Sequence, residues 1–357
     1  MKVVQILSSL SPGDGVGNDC IAIKRALLER GYDTCIYAEN ISPKLPKGTA
    51  IKMKRLPQLE DDDIVIFHLA IGTDLNFKID KINGIKVLRY HNITPPSFFR
   101  RYNRSAQNAC SYGYEGVKYL SDKMDYGLIV SEYNRQDLIR MGYRCEMNIM
   151  PILIAFPDYE KEPDRELINK YKDGRINIVF TGRINPNKKQ EDIIRTFYLY
   201  KKYYNSDARL FLVGSYQGME LYYERLQHYV DRLGVKDVYF TGHIPFSQIL
   251  AYYHLADAFL CMSEHEGFCI PLVEAMYFNV PIIAYKSSAI GDTLAGTGIL
   301  LKEKDYLIAA GWLNRLASDD ILRENIIEKQ RLRLADFQYE TVKKQLYQFL
   351  DKIIKSR

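Results

Sequence analysis

The residues best suited to chemistry lie in the second half of the chain. Ser263-Glu264-His265-Glu266-Gly267-Phe268-Cys269-Ile270-Pro271-Leu272-Val273-Glu274-Ala275 follows a short apolar run, Ala258 to Met262. Its Pro271 is well placed in the first turn of a helix. The free N–H groups at such a helix start can receive phosphate or sugar oxygens. Glu266 precedes the helix and Glu274 lies about one turn inside it, so both carboxylates can border one pocket. Carboxylates accept hydrogen bonds from vicinal hydroxyls, which hexoses and riboses supply. Two glutamates at this distance are commonplace in a charge-rich chain; the glycine, the proline and the strand-helix context give the spacing its meaning.

Two cations form the second constellation. Thr181-Gly182-Arg183-Ile184-Asn185-Pro186-Asn187-Lys188 follows the strand-like run Ile176 to Phe180. Arg183 and Lys188 would sit at the C-terminal edge of a sheet, where open α/β folds bind ligands. A guanidinium fork and an ammonium together suit a diphosphate. A third feature, Ser11-Pro12-Gly13-Asp14-Gly15-Val16-Gly17-Asn18, reads as a glycine-rich turn between strand and helix. Its spacing is G-x-G-x-G and not the dinucleotide G-x-G-x-x-G.

The elements that must position these groups alternate. Val3 to Leu7 is a strand, a helical pattern in which Ile21, Ala22, Ala26, Leu27 and Leu28 share a face runs to Gly31, and Thr34 to Ala38 is the next strand. That is a βαβ unit, the building block of parallel sheets. Ile64 to Phe67, Lys86 to Tyr90 and Tyr126 to Ser131 continue the pattern, with a helix from Asn134 to Met141. Pro151 to Tyr171, rich in proline and charge, reads as an interdomain linker. Beyond it strands at Ile176 to Phe180, Arg209 to Val213, Val238 to Phe240, Ala258 to Met262 and Pro281 to Ala284 alternate with helices, and a last helix spans about Tyr339 to Ile354.

Composition excludes several classes. The 357 residues suggest two domains. A formal charge of only +5 does not support a nucleic-acid footprint. The six cysteines, Cys20, Cys35, Cys110, Cys145, Cys261 and Cys269, form no CxxC pair and no zinc-spaced cluster. With no secretory core and no apolar run of spanning length, a cytoplasmic location is expected.

The Arg183/Lys188 turn, Glu266 and Glu274 with Gly-Phe between them, and Val280-Pro281-Ile282-Ile283-Ala284 resemble the family 4 retaining glycosyltransferases, which have the GT-B fold. The resemblance covers nearly the whole chain, more loosely in the first half. It implies two Rossmann-like domains facing a cleft. These are residues 1–160, an acceptor-binding domain completed by a C-terminal helix (338–357) crossing back, and residues 165–335, which hold the nucleotide sugar. It implies transfer of a hexosyl group from UDP- or GDP-hexose to an acceptor hydroxyl, in bacterial surface polysaccharide or glycolipid assembly, with no cofactor and no metal. Arg183 and Lys188 would hold the diphosphate, and Glu266 the hexose hydroxyls, with N–H groups around Gly267, Phe268 and Cys269. Glu274 would hold the ribose. Gly15 and Gly17 would approach the phosphates, and His91 would stand near the reacting sugar.

Three positions depart from that pattern. Lys189 and Cys269 stand where glycines are usual, and Asp292 where many members have Pro-Glu. Lys189 therefore predicts a differently shaped loop, and the departures together leave the donor open. His68 reads as a structural histidine and His265 as a pocket-rim residue. Phe98-Phe99-Arg100-Arg101-Tyr102-Asn103-Arg104 reads first as a solvated loop with a few buried rings, and its interleaved arginines could also touch anionic lipid headgroups or a pyrophosphate-linked acceptor. The expected partners are thus the donor, a carbohydrate or lipid-linked acceptor and a membrane surface, without nucleic acid. Three rivals remain: an epimerase of the same fold, a catalytically silent sugar-binding partner, and a nicotinamide-dependent dehydrogenase. The missing G-x-G-x-x-G and the paired cations argue against the last.

Overall fold

The aliphatic run near the N-terminus forms β1 (Lys2–Leu10), in which Val3, Val4, Ile6 and Leu7 are all buried. Burial on both faces is what a central parallel strand requires. The computed structural model describes residues 1–356, which divide into two units. The first comprises Met1–Ser97, Ser105–Phe156 and the stretch beginning at Asp336; the second comprises Phe98–Arg104 and Pro157–Ala335.

The first unit adds β2 (Asp33–Ile41), β3 (Ile51–Lys52), β4 (Ile64–Leu69), β5 (Ile85–Tyr90), β6 (Tyr126–Ile129) and β7 (Glu146–Ile149). The sheet runs β3-β2-β1-β4-β5-β6-β7, with every pair parallel. Chain order reverses between β1 and β4, the switch point beside which such sheets bind ligands. The register sets Leu7 opposite His68, and His68 opposite Arg89.

The helix Tyr339–Lys355 belongs to this unit. Val342, Leu346, Phe349, Leu350 and Ile353 recur at helical spacing and pack with Val3, Ile23, Leu27 and Leu128. Arg30 ties the helix down by donating to the Tyr347 carbonyl (3.1 Å) and to Asp351 (2.6 Å).

The second unit contains β8 (Asn177–Thr181), β9 (Arg209–Val213), β10 (Val238–Phe240), β11 (Ala258–Cys261), β12 (Ile282–Tyr285) and β13 (Ile299–Leu301). Its parallel sheet has the order β10-β9-β8-β11-β12-β13. Here the switch point falls between β8 and β11, the two strands that lead into the Arg183 and Glu266 segments. Both units are Rossmann-like α/β layers.

Two readings of the sequence need correction. The glycine turn stops at Asp14, which caps a helix already begun at Gly15, so Gly15 and Gly17 lie in its first turn. The Pro151–Tyr171 stretch is not all linker. Asp164 caps a helix, Arg165–Tyr171, by accepting from the Leu167 N–H at 2.9 Å. The Gln248 side chain holds the same carboxylate at 3.0 Å, fixing this helix to the second unit. Among the described residues, no helix is long and apolar enough to cross a membrane.

Candidate nucleotide-sugar site

The chain stays paired as it leaves β8. Gly182 N–H donates to the Val213 carbonyl (2.8 Å) and Ile184 N–H to that of Ser215 (2.9 Å), so Arg183 is held between two pinned neighbours. Gly214 makes this approach feasible: a Cβ there would lie 2.1 Å from the Gly182 carbonyl oxygen. Arg183 is exposed. One guanidinium N–H donates to the Gln217 carbonyl at 3.1 Å, leaving further donors for a ligand.

Pro186–Lys188 then makes a turn of 3-10 helix. Asn187 zips it to the β11 loop, donating from its side chain to the His265 carbonyl and accepting from Glu264 N–H, both at 2.8 Å. The result is a close ion pair. Lys188 Nζ lies 2.6 Å from each carboxylate oxygen of Glu266, whose residue is 7% exposed. Burial works against the Lys188 charge, but the Glu266 carboxylate outweighs it and raises the pKa above that of an ordinary lysine. Glu266 is anchored by its own N–H, which donates to Ser288 Oγ at 2.7 Å. Two acceptors in the same turn, Asn185 Oδ1 and Asn187 Oδ1, are buried without partners.

Cys269 leads into the helix Ile270–Tyr277, with Pro271 in its first turn. Lys189 (φ 53°) and Cys269 (φ 71°) both adopt the left-handed conformation that glycine takes most readily. The departure at Lys189 therefore does not by itself reshape the loop: the side chain is carried on a backbone that glycine would suit. Asp292 is anchored through its backbone, its carbonyl accepting from Arg333 at 2.8 Å.

Glu274 is more heavily engaged than its spacing predicts. Tyr159 donates to Oε1 at 2.9 Å and Tyr253 to Oε2 at 2.6 Å. Burial raises its pKa, while both tyrosine hydrogen bonds oppose that rise. Tyr253 also shares a hydrogen bond with Thr181 at the end of β8. Sequence reasoning missed both tyrosines, since Tyr159 fell in the supposed linker and Tyr253 among many helical tyrosines.

Contrary to expectation, His265 is not on a rim. It is 7% exposed, and burial lowers its pKa to about 4. The Phe98–Arg104 stretch clusters with this unit: Asn103 donates to the Gly218 carbonyl at 2.6 Å and Tyr102 packs edge-on against Tyr222. Its Arg100, Arg101 and Arg104 stay exposed.

In the first unit, Gly17 has a packing role, because a Cβ would lie 2.9 Å from the Ser11 carbonyl oxygen. Asp19, on the same helix, is fully buried and bound by Arg89 through Nε (2.9 Å) and a terminal nitrogen (3.1 Å). Arg89 also donates to the carbonyls of Leu128, Met150 and Pro151. Burial pushes the Asp19 pKa up, but Arg89 reverses this and holds it below the usual aspartate range. His91 follows β5, and its Nε2 lies 3.0 Å from Nδ1 of His68. His68 is thus tied to the candidate site residue. The available signal was polar residues inside apolar strands: Gln5 in Val-Val-Gln-Ile-Leu, and Arg89 in Val-Leu-Arg-Tyr.

Asp19, His68 and His91 offer donor atoms within 4.8 Å of one another, a spacing a metal ion could use. The surroundings disfavour a cation. Arg89 takes both Asp19 oxygens, Leu153 N–H adds a third bond (2.8 Å), and the two histidines bond to each other.

Residues 161–333 match the family described as Glycosyl transferases group 1. The chain is 23% identical over 220 residues to O-antigen chain mannosyltransferase B of Escherichia coli, covering 60% of this chain and 57% of that one. It is 33% identical over 135 residues to a GDP-mannose-dependent alpha-mannosyltransferase of Mycolicibacterium smegmatis, covering 36% and 31%. The chain thus spans about half the length of the first of these curated relatives and less of the second. Among solved structures, Anabaena HepE in complex with UDP-glucose superposes with a TM-score of 0.73 at 15% identity, over 99% of this chain and 100% of that one. The family match lies within the second unit, and the chain as a whole has the GT-B fold of these solved structures.

Proposed function

We propose that the protein is a retaining hexosyltransferase that uses a nucleotide diphosphate sugar. The observation that carries this reading is the partly buried Lys188–Glu266 pair, set where β8 and β11 end and close to a helix start. The ammonium and the Arg183 guanidinium would bind the donor's diphosphate. Glu266, freed in part when phosphate shares Lys188, would accept hydrogen bonds from hexose hydroxyls. Glu274, already oriented by Tyr159 and Tyr253, has lone pairs left for ribose hydroxyls. The E. coli relative is named a mannosyltransferase, the mycolicibacterial one uses GDP-mannose by its name, and HepE was solved with UDP-glucose. All three support a hexose donor.

No side chain of the second unit stands out as a nucleophile, so the proposed step is a same-face displacement. The bond from the anomeric carbon to the donor's phosphate oxygen breaks, and one to the acceptor oxygen forms on the same face. The acceptor's proton passes to the departing phosphate. Arg183 and Lys188 stabilise the charge developing there, the electrostatic work a metal does in other enzymes. The acceptor is proposed to be a carbohydrate or a lipid-linked glycan at the inner face of the cell membrane. The exposed arginines of the Phe98–Arg104 stretch suit its pyrophosphate.

A thermal-shift panel of UDP-, GDP- and ADP-hexoses tests the reading, because a ligand of the native state alone raises the melting temperature. The expected result is one sugar nucleotide that stabilises the protein and is turned over, with acceptor, to a product of unchanged anomeric configuration. No stabilisation by any of them, or an inverted product, defeats the proposal. Loss of donor without any acceptor would point to the epimerase.

A further inference from the structure

A line of hydrogen bonds crosses three adjacent strands of the first unit and ends at His91. Gln5, on β1 and fully buried, donates from its side-chain nitrogen to the Cys20 carbonyl at 3.0 Å. Its oxygen is thereby turned toward His68 on β4, where it lies 2.9 Å from Nε2. An amide oxygen only accepts, so His68 carries its proton on Nε2 and leaves Nδ1 as an acceptor. That atom faces His91 Nε2 at 3.0 Å, so His91 must donate from Nε2. The ring planes are within 18° of parallel and the centroids lie 5.3 Å apart, a separation consistent with a 3.0 Å contact between ring-edge nitrogens. Each bond fixes the polarity of the next.

The line ends on an unused lone pair. The His91 side chain is 3% exposed, and its Nδ1 is buried with no partner among the described residues. The neighbouring residue repeats the arrangement. Asn134 donates to the Tyr90 carbonyl, accepts from the Asn92 side-chain nitrogen at 2.6 Å, and leaves Asn92 Oδ1 buried and unpartnered. Asn92 is held at φ 78°, an uncommon conformation at the end of β5. Two consecutive residues thus present acceptors without donors, and unmade buried hydrogen bonds cost free energy until a ligand supplies the proton.

We propose that Gln5 and His68 are positioning residues that lock His91 with its proton on Nε2, so that Nδ1 and Asn92 Oδ1 receive hydroxyl groups of the substrate. This rests on the hexosyltransferase reading and sharpens it. The position takes a neutral hydroxyl and refuses a phosphate or carboxylate oxygen, which would meet lone pairs with lone pairs. Asp19, Arg89 and His68 are the charged or titratable groups that face His91. Burial lowers the His91 pKa to about 4, so the ring stays a neutral acceptor through the physiological range.

The test is long-range proton–nitrogen NMR of the histidines in the full, ¹⁵N-labelled chain at neutral pH, with signals assigned through His91→Asn and His68→Gln. The expected spectrum shows both rings protonated on Nε2 alone. Gln5→Leu should mix the His91 tautomers and lower kcat/KM for the acceptor by roughly tenfold or more. His68→Leu should do the same, while His68→Gln, which keeps one acceptor and one donor, should retain activity within about threefold. A His91 protonated on Nδ1, or on both nitrogens, overturns the proposal without reference to any variant's folding. So does stoichiometric movement of both signals on adding Zn²⁺, which would make the cluster a metal site. Unchanged tautomers in a folded Gln5→Leu protein also overturn it. The tautomer is read without turnover, so a chain that transfers no hexose leaves this result standing by itself.

Discussion

Lys188 Nζ lies 2.6 Å from both carboxylate oxygens of Glu266, joining the loops that leave β8 and β11. Each residue compensates the other's buried charge, and each is also the group proposed to bind a different part of the donor. The pair is therefore a stability element and a binding element at once, and substitution can separate the two.

Lys188→Met strands a carboxylate in a residue only 7% exposed and should cost about 3 kcal/mol of stability. The double variant Lys188→Met/Glu266→Gln should recover most of that loss in urea unfolding, since no lone charge remains. Activity should not recover: each single variant and the double should lose at least about 10²–10³-fold in turnover. Near-normal rates in either single variant would sink the site assignment.

Tyr253→Phe removes the 2.6 Å hydrogen bond that fixes Glu274 Oε2. The carboxylate should then orient poorly toward the ribose, raising donor KM by roughly five- to tenfold while kcat changes less than about threefold. Steady-state kinetics with varied donor decide it, and a fall in kcat alone would count against a ribose role.

Lys189 occupies a left-handed conformation, and its ion pairs to Glu191 (3.8 Å) and Glu264 (3.3 Å) are long. A non-glycine residue there costs roughly 1–2 kcal/mol, more than such pairs return. Lys189→Gly should leave the melting temperature unchanged or raise it, with activity retained. A clear drop would show that the ammonium matters more than the backbone.

Burial lowers His91 and His265 to about 4, whereas in the unfolded chain both protonate near the ordinary histidine value of ~6.5. Between those values the unfolded state binds more protons, so stability falls as the pH drops from about 6.5 to about 4 and then levels for these groups. Asp19 acts lower: its depressed pKa adds stability above the usual aspartate value, lost as the pH falls through the folded one. Urea midpoints across this range should slope downward with acid, and His265→Gln should flatten the upper limb. A flat wild-type profile above pH ~4.5 would contradict the burial of both rings.

Much of the fold was open to reading because parallel strands buried on both faces leave long apolar signatures, as in Val3 to Leu7 and Ile282 to Ala284. β3, β7 and β13 were not, being two to four residues long; polar Glu146-Met147-Asn148-Ile149 becomes a strand only because β6 offers it an edge. Cap chemistry moved boundaries as well. Asp14 and Asp164 start helices where proline, glycine and charge had suggested turn and linker.

The sequence by itself determined the residue types at the candidate site: two cations, two glutamates and a helix opening on Pro271, each group local to one strand end and marked by its neighbours. What only the tertiary structure decided is who partners whom. Lys188 meets Glu266 across 78 positions, Tyr159 reaches Glu274 across 115, and Gln5 orders His91 through His68 across strands separated by 63 and 23. Local patterns arise from backbone geometry and burial along one element. Pairing between elements depends on sheet order and register, and no spacing along the chain records those.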